Sequence, residues 1–407
     1  MMARSIVLAF LVAVGAVVAY VVLLQVPDDV GDSPWMVKIA SLEKTINYHG
    51  KFFLPAGINS WVDERFKANA RAFGAQVPYK DVVFDRVPVR IFADEPAAGK
   101  TGKRPAIVYY HGGGFIRGSI DGQHPTTAMF ARDLSAVVVS VDYRLAPKYP
   151  FPAAIDDCTA ATVWFLKHLR DYNIDPARVA IMGDSAGGNL AAATAQRLTF
   201  DPKYSDLTRI KLQVLVYPCL QAFDFQTPSY QRNGDYQLLL GRAIMVWVWD
   251  SYLHGNKGST KDEMAINNHT SAAAKRSQLA QKCLSHDLIP DEFKQTGYEA
   301  PSTDFGDEGI YDEIKGVLLD PDFAPLMRED LRGLPEAYVL TAEYDVLRDD
   351  GIMYAKRLEK AGVRVTLKDY RRGYHGIFGT GASCMLTCTP MGDKSFFDFI
   401  GFAKQRL

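Results

Sequence analysis

The stretch Val179-Ala-Ile-Met-Gly-Asp-Ser-Ala-Gly-Gly-Asn189 decides how the rest of the chain is interpreted. It begins with a short apolar run, Val179–Met182, which is typical of a strand buried on both faces. Glycines then stand two residues before and two residues after Ser185. They permit a tight turn, because backbone segments can approach closely where there is no side chain. The pattern therefore predicts a strand, a sharp turn that exposes the serine hydroxyl, and a helix.

Short apolar segments alternate with helical ones along most of the chain. Seven further segments predict strands: Val82–Phe84, Val87–Phe92, Ala106–Tyr110, Ala136–Val141, Leu212–Tyr217, Ala337–Leu340 and Val363–Leu367. Five segments predict helices: Thr126–Leu134, Ala153–Leu169, Gly188–Arg197, Gly351–Ala361 and Lys394–Gln405. Alternation of this kind indicates an α/β fold with a mostly parallel central sheet flanked by helices. The first two strands are expected to pair at the sheet edge, where Pro88 is tolerated.

The sequence predicts four consecutive regions. Residues 1–5 form a short N-terminus and residues 6–26 an apolar helix. Residues 27–80 form a helical segment, in which Ser33-Pro34 marks the start of a helix. Residues 81–407 then form one large domain. Within it, residues 221–332 carry few strand signals and many polar and aromatic residues. We expect this insertion, together with residues 27–80, to form a mostly helical cap.

The apolar helix is long enough to cross a membrane. Ile6 to Val26 contains no charged residue, and about 20 apolar residues span a bilayer core. A cleaved secretory signal is the alternative, but its apolar part is shorter and it ends at a small-residue cleavage site. Arg4 precedes the run, and Asp28, Asp29 and Asp32 follow it. The flanking charges favour a cytosolic N-terminus, with the rest of the chain across the membrane.

Composition excludes several classes of function. The formal net charge is −1, whereas a nucleic-acid-binding protein usually carries a basic surface. The chain contains no Walker-type phosphate loop, no HExxH sequence and no paired CxxC, so we expect neither a metal nor an organic cofactor. The five cysteines are too few and too irregularly spaced for a disulfide framework, and their pairing stays open: Cys158, Cys219, Cys283, Cys384 and Cys388.

The sequence also predicts the other groups that a nucleophilic serine requires, which are oxyanion donors, a general base and an acid. His111-Gly-Gly-Gly114 follows a predicted strand, where backbone N–H groups form an oxyanion hole in the α/β-hydrolase fold. We expect its donors to be Gly112 and Gly113, together with Ala186. Ser185, as nucleophile, needs a general base. Among the eight histidines, only His375 follows the last predicted strand pair, so elimination selects it.

The base in turn needs a carboxylate that orients it. In this fold the acid follows a late strand and precedes the histidine in the chain. Ala337–Leu340 is followed by Thr341-Ala-Glu-Tyr-Asp345. Asp345 is the preferred residue, and Glu343 and Asp349 remain as rivals at this point. Asp349 also fits the simple role of a helix-capping residue.

Four motifs together resemble one known family. They are His111-Gly-Gly-Gly, Asp142-Tyr-Arg-Leu-Ala-Pro147, Gly183-Asp-Ser-Ala-Gly-Gly-Asn189 and Asp345-Val-Leu-Arg-Asp-Asp-Gly351. In these motifs the chain resembles the hormone-sensitive-lipase family of α/β-hydrolases and, within it, the arylacetamide deacetylase branch. The resemblance implies that Asp345 is the acid, because it opens the D-x-L-R-D-x-G pattern. It departs from the family mildly at Tyr374, and more strongly at His269–Glu299 and Phe378–Phe397.

The resemblance implies a serine carboxylic ester hydrolase of the endoplasmic reticulum membrane. It would carry one N-terminal anchor (type II topology) and a lumenal catalytic domain, and act on lipid esters such as cholesteryl esters or acetylated ether glycerolipids. An arylacetamide deacetylase-like esterase or amidase for aryl substrates is the alternative. A non-catalytic ligand-binding protein is the distant one, since all three triad positions are occupied. Asn268-His-Thr270 is an N-glycosylation sequence compatible with the lumenal placement. Oligomeric state is left open.

Overall fold

The computed structural model describes residues 22–39, 77–93, 102–236, 240–379 and 389–407. The predicted membrane-spanning run at residues 6–26 therefore lies outside the described residues, except for its last five positions. In the described part of the chain, no helix is both long enough and apolar enough to cross a bilayer. A short helix occupies residues 34–39, directly after Ser33, as the cap-and-proline signal predicted.

One sheet of eight strands organises the large domain. Its order is β1-β2-β4-β3-β5-β6-β7-β8, with β1–β2 and β2–β4 antiparallel and every other pair parallel. The strands are β1 Tyr79–Phe84, β2 Val87–Phe92, β3 Arg104–Tyr110, β4 Val137–Val141, β5 Ile174–Asp184, β6 Leu212–Val216, β7 Glu336–Tyr344 and β8 Val365–Tyr374. All eight predicted strands are present, and the predicted mostly parallel α/β sheet is confirmed.

Eleven labelled helices surround or extend the sheet in the described residues. They are α1 His124–Leu134, α2 Ala153–Lys167, α3 Ala186–Phe200, α4 Pro228–Asn233, α5 Arg242–His254, α6 Lys261–Ala265, α7 Ala272–Lys275, α8 Gln278–Leu284, α9 Glu308–Leu318, α10 Arg348–Lys360 and α11 Pro390–Arg406. Short 3₁₀ turns occupy Leu169–Tyr172, Pro202–Tyr204, His286–Leu288, Asp291–Phe293 and Pro325–Met327. All five predicted helices are among the eleven.

The sheet is covered on both faces, which explains why its central strands are apolar throughout. Successive side chains of a strand point to opposite faces. Ile107 and Tyr109 of β3 pack with the cluster that contains Phe130 of α1 and Phe399 of α11. Their neighbours on β3 pack with residues of α2, α3 and α10 on the other face. The two clusters together hold the sheet between two helical layers.

The segment between β6 and β7 breaks the alternation of strands and helices. It contains α4 to α9 and no strand among its described residues. Helix α5 supplies much of its apolar packing, because Trp249 and Tyr252 of this helix are fully buried. Tyr252 stacks on Phe115, which follows β3, with ring centroids 3.9 Å apart. The insertion is therefore packed directly on the loop after β3.

The N-terminal segment is attached beside the carboxyl ends of β7 and β8. Val30 and Val37 are buried in a small cluster with Tyr344 and Tyr374. The Gly31 N–H donates to the Arg372 carbonyl at 2.6 Å. The Tyr344 hydroxyl also donates to the Asp29 carboxylate at 2.5 Å. Tyr344 and Tyr374 oppose each other in the sheet register, so the segment contacts the last paired residues of both strands.

Candidate active site

Ser185 occupies the turn between β5 and α3. Its backbone has φ 56° and ψ −120°, a conformation that costs energy for any residue with a side chain. The Ser185 N–H is held by the Val216 carbonyl at 2.8 Å. A Cβ atom on Gly183 would lie 2.1 Å from the Gly187 carbonyl oxygen, and one on Gly187 would lie 2.0 Å from the Tyr110 oxygen. The two glycines of the motif are thus required by close backbone contacts.

The structure brings the three predicted triad residues together. His375 Nε2 lies 3.1 Å from Ser185 Oγ, and His375 Nδ1 lies 2.7 Å from Asp345 Oδ2. Asp345 directly follows β7, and His375 directly follows β8. Because β6, β7 and β8 are parallel neighbours, their carboxyl ends place these side chains next to the turn that carries Ser185. Residues far apart in the chain form one continuous hydrogen-bonded line.

The surroundings of Asp345 and His375 hold both groups in place. The Asp345 side chain is fully buried, and its other oxygen, Oδ1, accepts the Leu347 N–H at 2.9 Å. The imidazole of His375 lies against the Tyr217 ring, with centroids 4.6 Å apart. An imidazole that donates from Nδ1 to Asp345 presents the Nε2 lone pair to the Ser185 hydroxyl.

The two rival carboxylates have other partners. Glu343 forms an ion pair with Arg232 at 3.0 Å and accepts the Arg372 N–H at 2.8 Å. Asp349 accepts the Ser229 N–H at 2.5 Å, which joins α10 to the insertion. His375 is in hydrogen-bond contact with Asp345 and with neither rival. The geometry thus agrees with the acid that the resemblance implied.

The glycine loop after β3 differs from the prediction in one respect. The Gly112 N–H donates to Asp184 Oδ1 at 2.9 Å, so in this structure it is not free to bind an oxyanion. The N–H groups of Gly113, Gly114 and Ala186 donate to no atom of the residues that the structure describes. The expected role of Gly112 as a donor is therefore revised. Gly113 and Ala186 stay as predicted donors, and Gly114 joins them as a candidate.

His111 has a structural position in this loop. Its side chain is fully buried, and burial lowers the pKa of the imidazole below its usual value. Its Nδ1 lies 2.8 Å from the Gly112 carbonyl oxygen, and its ring stacks on Tyr143 with centroids 4.3 Å apart. A neutral imidazole that donates to this carbonyl is therefore part of the support of the loop. Among the described residues, no hydrogen bond joins His111 to Ser185.

The insertion reaches the same loop from the other side. A Cβ atom on Gly114 would lie 2.8 Å from Val248 Cγ2 of α5, so glycine is required for this approach. Phe115 is fully buried between the loop and α5, with its ring 5.4 Å from that of Trp249. The described residues beside the glycine loop after β3 are therefore apolar, which suits an ester with a hydrophobic acyl or alcohol group.

Asp184 is a residue near the site that sequence reasoning missed. It occupies the variable position of the G-x-S-x-G motif, and nothing in that pattern announces a partner for it. Its contact with Gly112 joins the ends of two neighbouring strands, β3 and β5. The signal available in the sequence was the run of three glycines, which indicates close approach by another group without naming that group.

The remaining predicted positions lie away from the triad. Asn268 is partly buried, and its side-chain amide donates to Glu263 at 2.6 Å. Its glycosylation stays a prediction. Cys158, Cys219 and Cys283 are buried free thiols, whereas Cys384 and Cys388 lie outside the described residues. Within the described ranges, no group of three or more His, Cys, Asp or Glu side chains is arranged to hold a metal ion.

Comparisons with known proteins agree with this geometry. The model of an α/β-hydrolase fold family matches residues 107–286 and 298–379. Neutral cholesterol ester hydrolase 1 of Pongo abelii is 41% identical over 386 residues, which cover 90% of this chain and 91% of that protein. Arylacetamide deacetylase of Bos taurus is 37% identical over 374 residues, with 89% and 91% covered.

Solved structures extend the likeness to the fold. An esterase of Pyrobaculum calidifontis superposes with a TM-score of 0.60 at 28% identity. The superposition covers 85% of this chain and 93% of the esterase. Because the match to neutral cholesterol ester hydrolase 1 covers 90% of this chain at 41% identity, the similarity includes the insertion as well as the sheet.

Proposed function

The chain belongs to the α/β-hydrolase family of hormone-sensitive-lipase type and is a carboxylesterase or lipase of that family, and from this premise we propose that it hydrolyses lipid esters through Ser185, His375 and Asp345. One observation carries the assignment of these residues. Ser185 Oγ, both ring nitrogens of His375 and Asp345 Oδ2 form a continuous line with spacings of 3.1 Å and 2.7 Å. This is the arrangement that activates a serine hydroxyl.

The proposed reaction begins when His375 Nε2 removes the proton from Ser185 and Oγ attacks the ester carbonyl carbon. The carbonyl oxygen becomes an oxyanion, which the N–H groups of Gly113, Gly114 and Ala186 stabilise. The tetrahedral intermediate collapses, and the protonated His375 gives its proton to the departing alcohol. Water, deprotonated by His375, then attacks the acyl-enzyme and releases the acid by the same steps in reverse. Asp345 stabilises the charged imidazole throughout.

Two observations support lipid esters as the substrate class. The chain is similar over most of its length to a protein named for cholesteryl ester hydrolysis. The wall beside the oxyanion loop is built from the apolar residues Val248 and Trp249 of α5. We include cholesteryl esters and acetylated ether glycerolipids among the proposed substrates. Hydrolysis of aryl esters or amides is the second candidate, because an arylacetamide deacetylase is similar over the same range.

The proposal also places the enzyme in the endoplasmic reticulum membrane, with its catalytic domain in the lumen. The uncharged run from Ile6 to Val26 and the acidic residues that follow it support this topology. A lumenal Asn268 would be available for glycosylation. Endoglycosidase treatment of the cell-expressed protein should increase its gel mobility, and Asn268→Gln should abolish that shift. Unchanged mobility of the wild-type protein would contradict the glycosylation proposal and remove this support for a lumenal domain.

The decisive experiment compares the wild-type protein with Ser185→Ala. We expect ester turnover to fall by roughly 10⁴-fold or more, because the nucleophile is lost, and labelling by a fluorophosphonate probe to disappear. A substrate panel of p-nitrophenyl acetate, p-nitrophenyl butyrate, cholesteryl oleate and an arylacetamide then ranks the two candidate classes. Labelling and turnover that persist in Ser185→Ala would contradict the assignment of the nucleophile.

A further inference from the structure

Asp184 forms a direct bond between the serine turn and the glycine loop. It is the last residue of β5, immediately before Ser185. Its Oδ1 accepts the Gly112 N–H at 2.9 Å and the Tyr109 hydroxyl at 2.5 Å. A carboxylate oxygen that accepts two donors is held more firmly than one with a single partner. The two segments that would surround a reacting carbonyl are therefore joined by one side chain.

The contact is too close for any residue other than glycine at position 112. A Cβ atom there would lie 2.3 Å from Asp184 Oδ2 and 2.9 Å from the Asp184 carbonyl oxygen. The strand register brings the two segments together, because Tyr110 of β3 is paired with Gly183 of β5. The first glycine of the loop is thus matched to the acidic residue of the serine turn.

Both polar groups of the Gly112 backbone are held. Asp184 binds the N–H, and His111 Nδ1 lies 2.8 Å from the carbonyl oxygen. Together these contacts restrict both backbone dihedrals of Gly112, which as a glycine has more conformational freedom than residues with a side chain. The Gly112 carbonyl belongs to the same planar trans peptide unit as the Gly113 N–H. Fixing that carbonyl therefore fixes the direction in which the Gly113 N–H points.

We propose that Asp184 is a positioning residue for the oxyanion hole, which acts through Gly112 to orient the Gly113 N–H toward the reacting carbonyl oxygen. The inference rests on the proposed ester hydrolysis at Ser185. Asp184 would touch neither substrate nor Ser185 Oγ, and its effect would appear in the transition state. Donors aimed in advance at the developing charge lower the barrier, whereas the ground-state ester gains little from them.

Tyr109 is the second hydrogen-bond partner of Asp184 and offers an independent test of the contact between Asp184 and Gly112. Its hydroxyl is buried, and burial together with the nearby Asp184 charge raises the pKa of Tyr109 well above its usual value. The phenol therefore stays protonated and keeps donating to Asp184. Removing this hydroxyl leaves the Gly112 bond in place but takes away one of the two donors that hold the carboxylate.

The test compares wild type, Asp184→Ala, Asp184→Asn and Tyr109→Phe, with Asp206→Ala at an exposed position as control. For each, kcat and KM are measured with p-nitrophenyl butyrate, and the inhibition constant is measured for an aryl boronic acid that forms a tetrahedral adduct with the serine. We expect kcat of Asp184→Ala to fall about 10²-fold, the loss typical of one oxyanion donor, while KM changes less than about threefold. Affinity for the boronic acid should fall in parallel with kcat.

The conservative variants separate positioning from general support of the fold. Asp184→Asn keeps an oxygen that can accept the Gly112 N–H, so we expect kcat within about tenfold of wild type. Tyr109→Phe should lose several-fold in kcat with KM unchanged, and it gives the answer if Asp184→Ala fails to fold. Wild-type kcat and boronic acid affinity in Asp184→Ala, or in Tyr109→Phe if Asp184→Ala cannot be made, would overturn the inference.

Failure of this inference can be told from failure of the proposed function. If the wild-type protein neither turns over the ester nor reacts with a fluorophosphonate at Ser185, the proposed function fails first. If it does both and the Asp184 variants behave like Asp206→Ala, only the positioning role is wrong.

Discussion

The serine turn and the helical insertion are held together by different means. Around Ser185, backbone packs against backbone so closely that a Cβ atom on Gly187 would lie 2.0 Å from the Tyr110 oxygen. In the insertion, long polar side chains bind backbone groups at several points. Lys275, for example, donates to the carbonyls of Asn267 and Phe305 at 2.7 Å and 2.8 Å. The serine turn is thus fixed by backbone contacts within the sheet, whereas contacts in the insertion depend on side chains that can be replaced.

This difference predicts how each region responds to substitution. Backbone contacts between neighbouring strands leave no room for adjustment, because the strands are fixed by their register. Contacts made by long side chains can shift without moving the sheet.

The largest effect is expected from adding one methyl group at Gly187. In Gly187→Ala the new Cβ would meet the backbone of Tyr110 and His111, which leads directly into the oxyanion loop. We expect ester turnover to fall at least 10²-fold, because either the turn or the loop must move. The matched control is Gly316→Ala in α9, where a Cβ would meet nothing within 4 Å.

Gly316→Ala should stabilise the protein slightly, by roughly 0.5–1 kcal/mol, since alanine is the better helix former. Both variants are compared by thermal unfolding and by turnover of p-nitrophenyl butyrate. Equal losses of activity in the two variants would contradict the division between the serine turn and the insertion.

An intermediate effect is expected at Asp350 of α10, which joins this helix to the start of the insertion. Its carboxyl oxygens accept the Leu220 N–H at 2.8 Å and the Gln221 side-chain amide at 3.1 Å, where the insertion begins. Burial raises the pKa of Asp350 to about 8, helped by the nearby Asp349. The folded protein therefore binds a proton that the unfolded chain releases above about pH 4.

The sign of the pH dependence follows from this proton. Between about pH 4 and pH 8 the folded state holds more protons than the unfolded state, so the free energy of unfolding falls as pH rises. The slope from one such group is at most about 1.4 kcal/mol per pH unit. Asp350→Asn cannot titrate, and denaturant titrations at pH 5, 6.5 and 8 should show a flatter decline than in wild type. Parallel declines would show that Asp350 does not carry this proton.

The smallest effect is expected from an ion pair on the surface of the insertion. Arg276 and Asp304 lie 2.5 Å apart, with 51% and 84% of their side chains exposed. Exposed pairs contribute about 0–1 kcal/mol, because water and salt screen them. Arg276→Ala should change the free energy of unfolding by less than about 1 kcal/mol and leave turnover unchanged. A loss of several kcal/mol would mean that the insertion tolerates substitution less well than its contacts indicate.

The sheet was predictable from the sequence because its strands bury both faces and thus appear as short apolar runs. The ends of β7 and β8 were not, since these strands continue through polar residues to Tyr344 and Tyr374. The apolar pattern stops where the sheet reaches the site. Strand order and register then determine that Asp345 and His375 meet. Neither the order nor the register of the strands can be derived from the sequence of a single chain.

The site itself divides in the same way. Ser185 and His375 could be predicted, because the first lies in a recognisable turn and the second was the only histidine in a suitable place. The engagement of Gly112 could not, because its partner Asp184 is 72 residues away and touches it only across two strands. The insertion was predicted to be mostly helical, but the first and last residues of its helices were not predicted. Short segments of mixed polarity lack a clear helical period.

The N-terminal segment has a practical consequence for preparing the protein. Val30 and Val37 cover Tyr344 and Tyr374, the residues immediately before Asp345 and His375. A fragment that starts at residue 40 would expose both tyrosines to solvent and remove the Asp29 partner of Tyr344. A shortened form intended for crystallisation or assay should therefore begin before Asp28, so that Val30 and Val37 still cover the back of the triad.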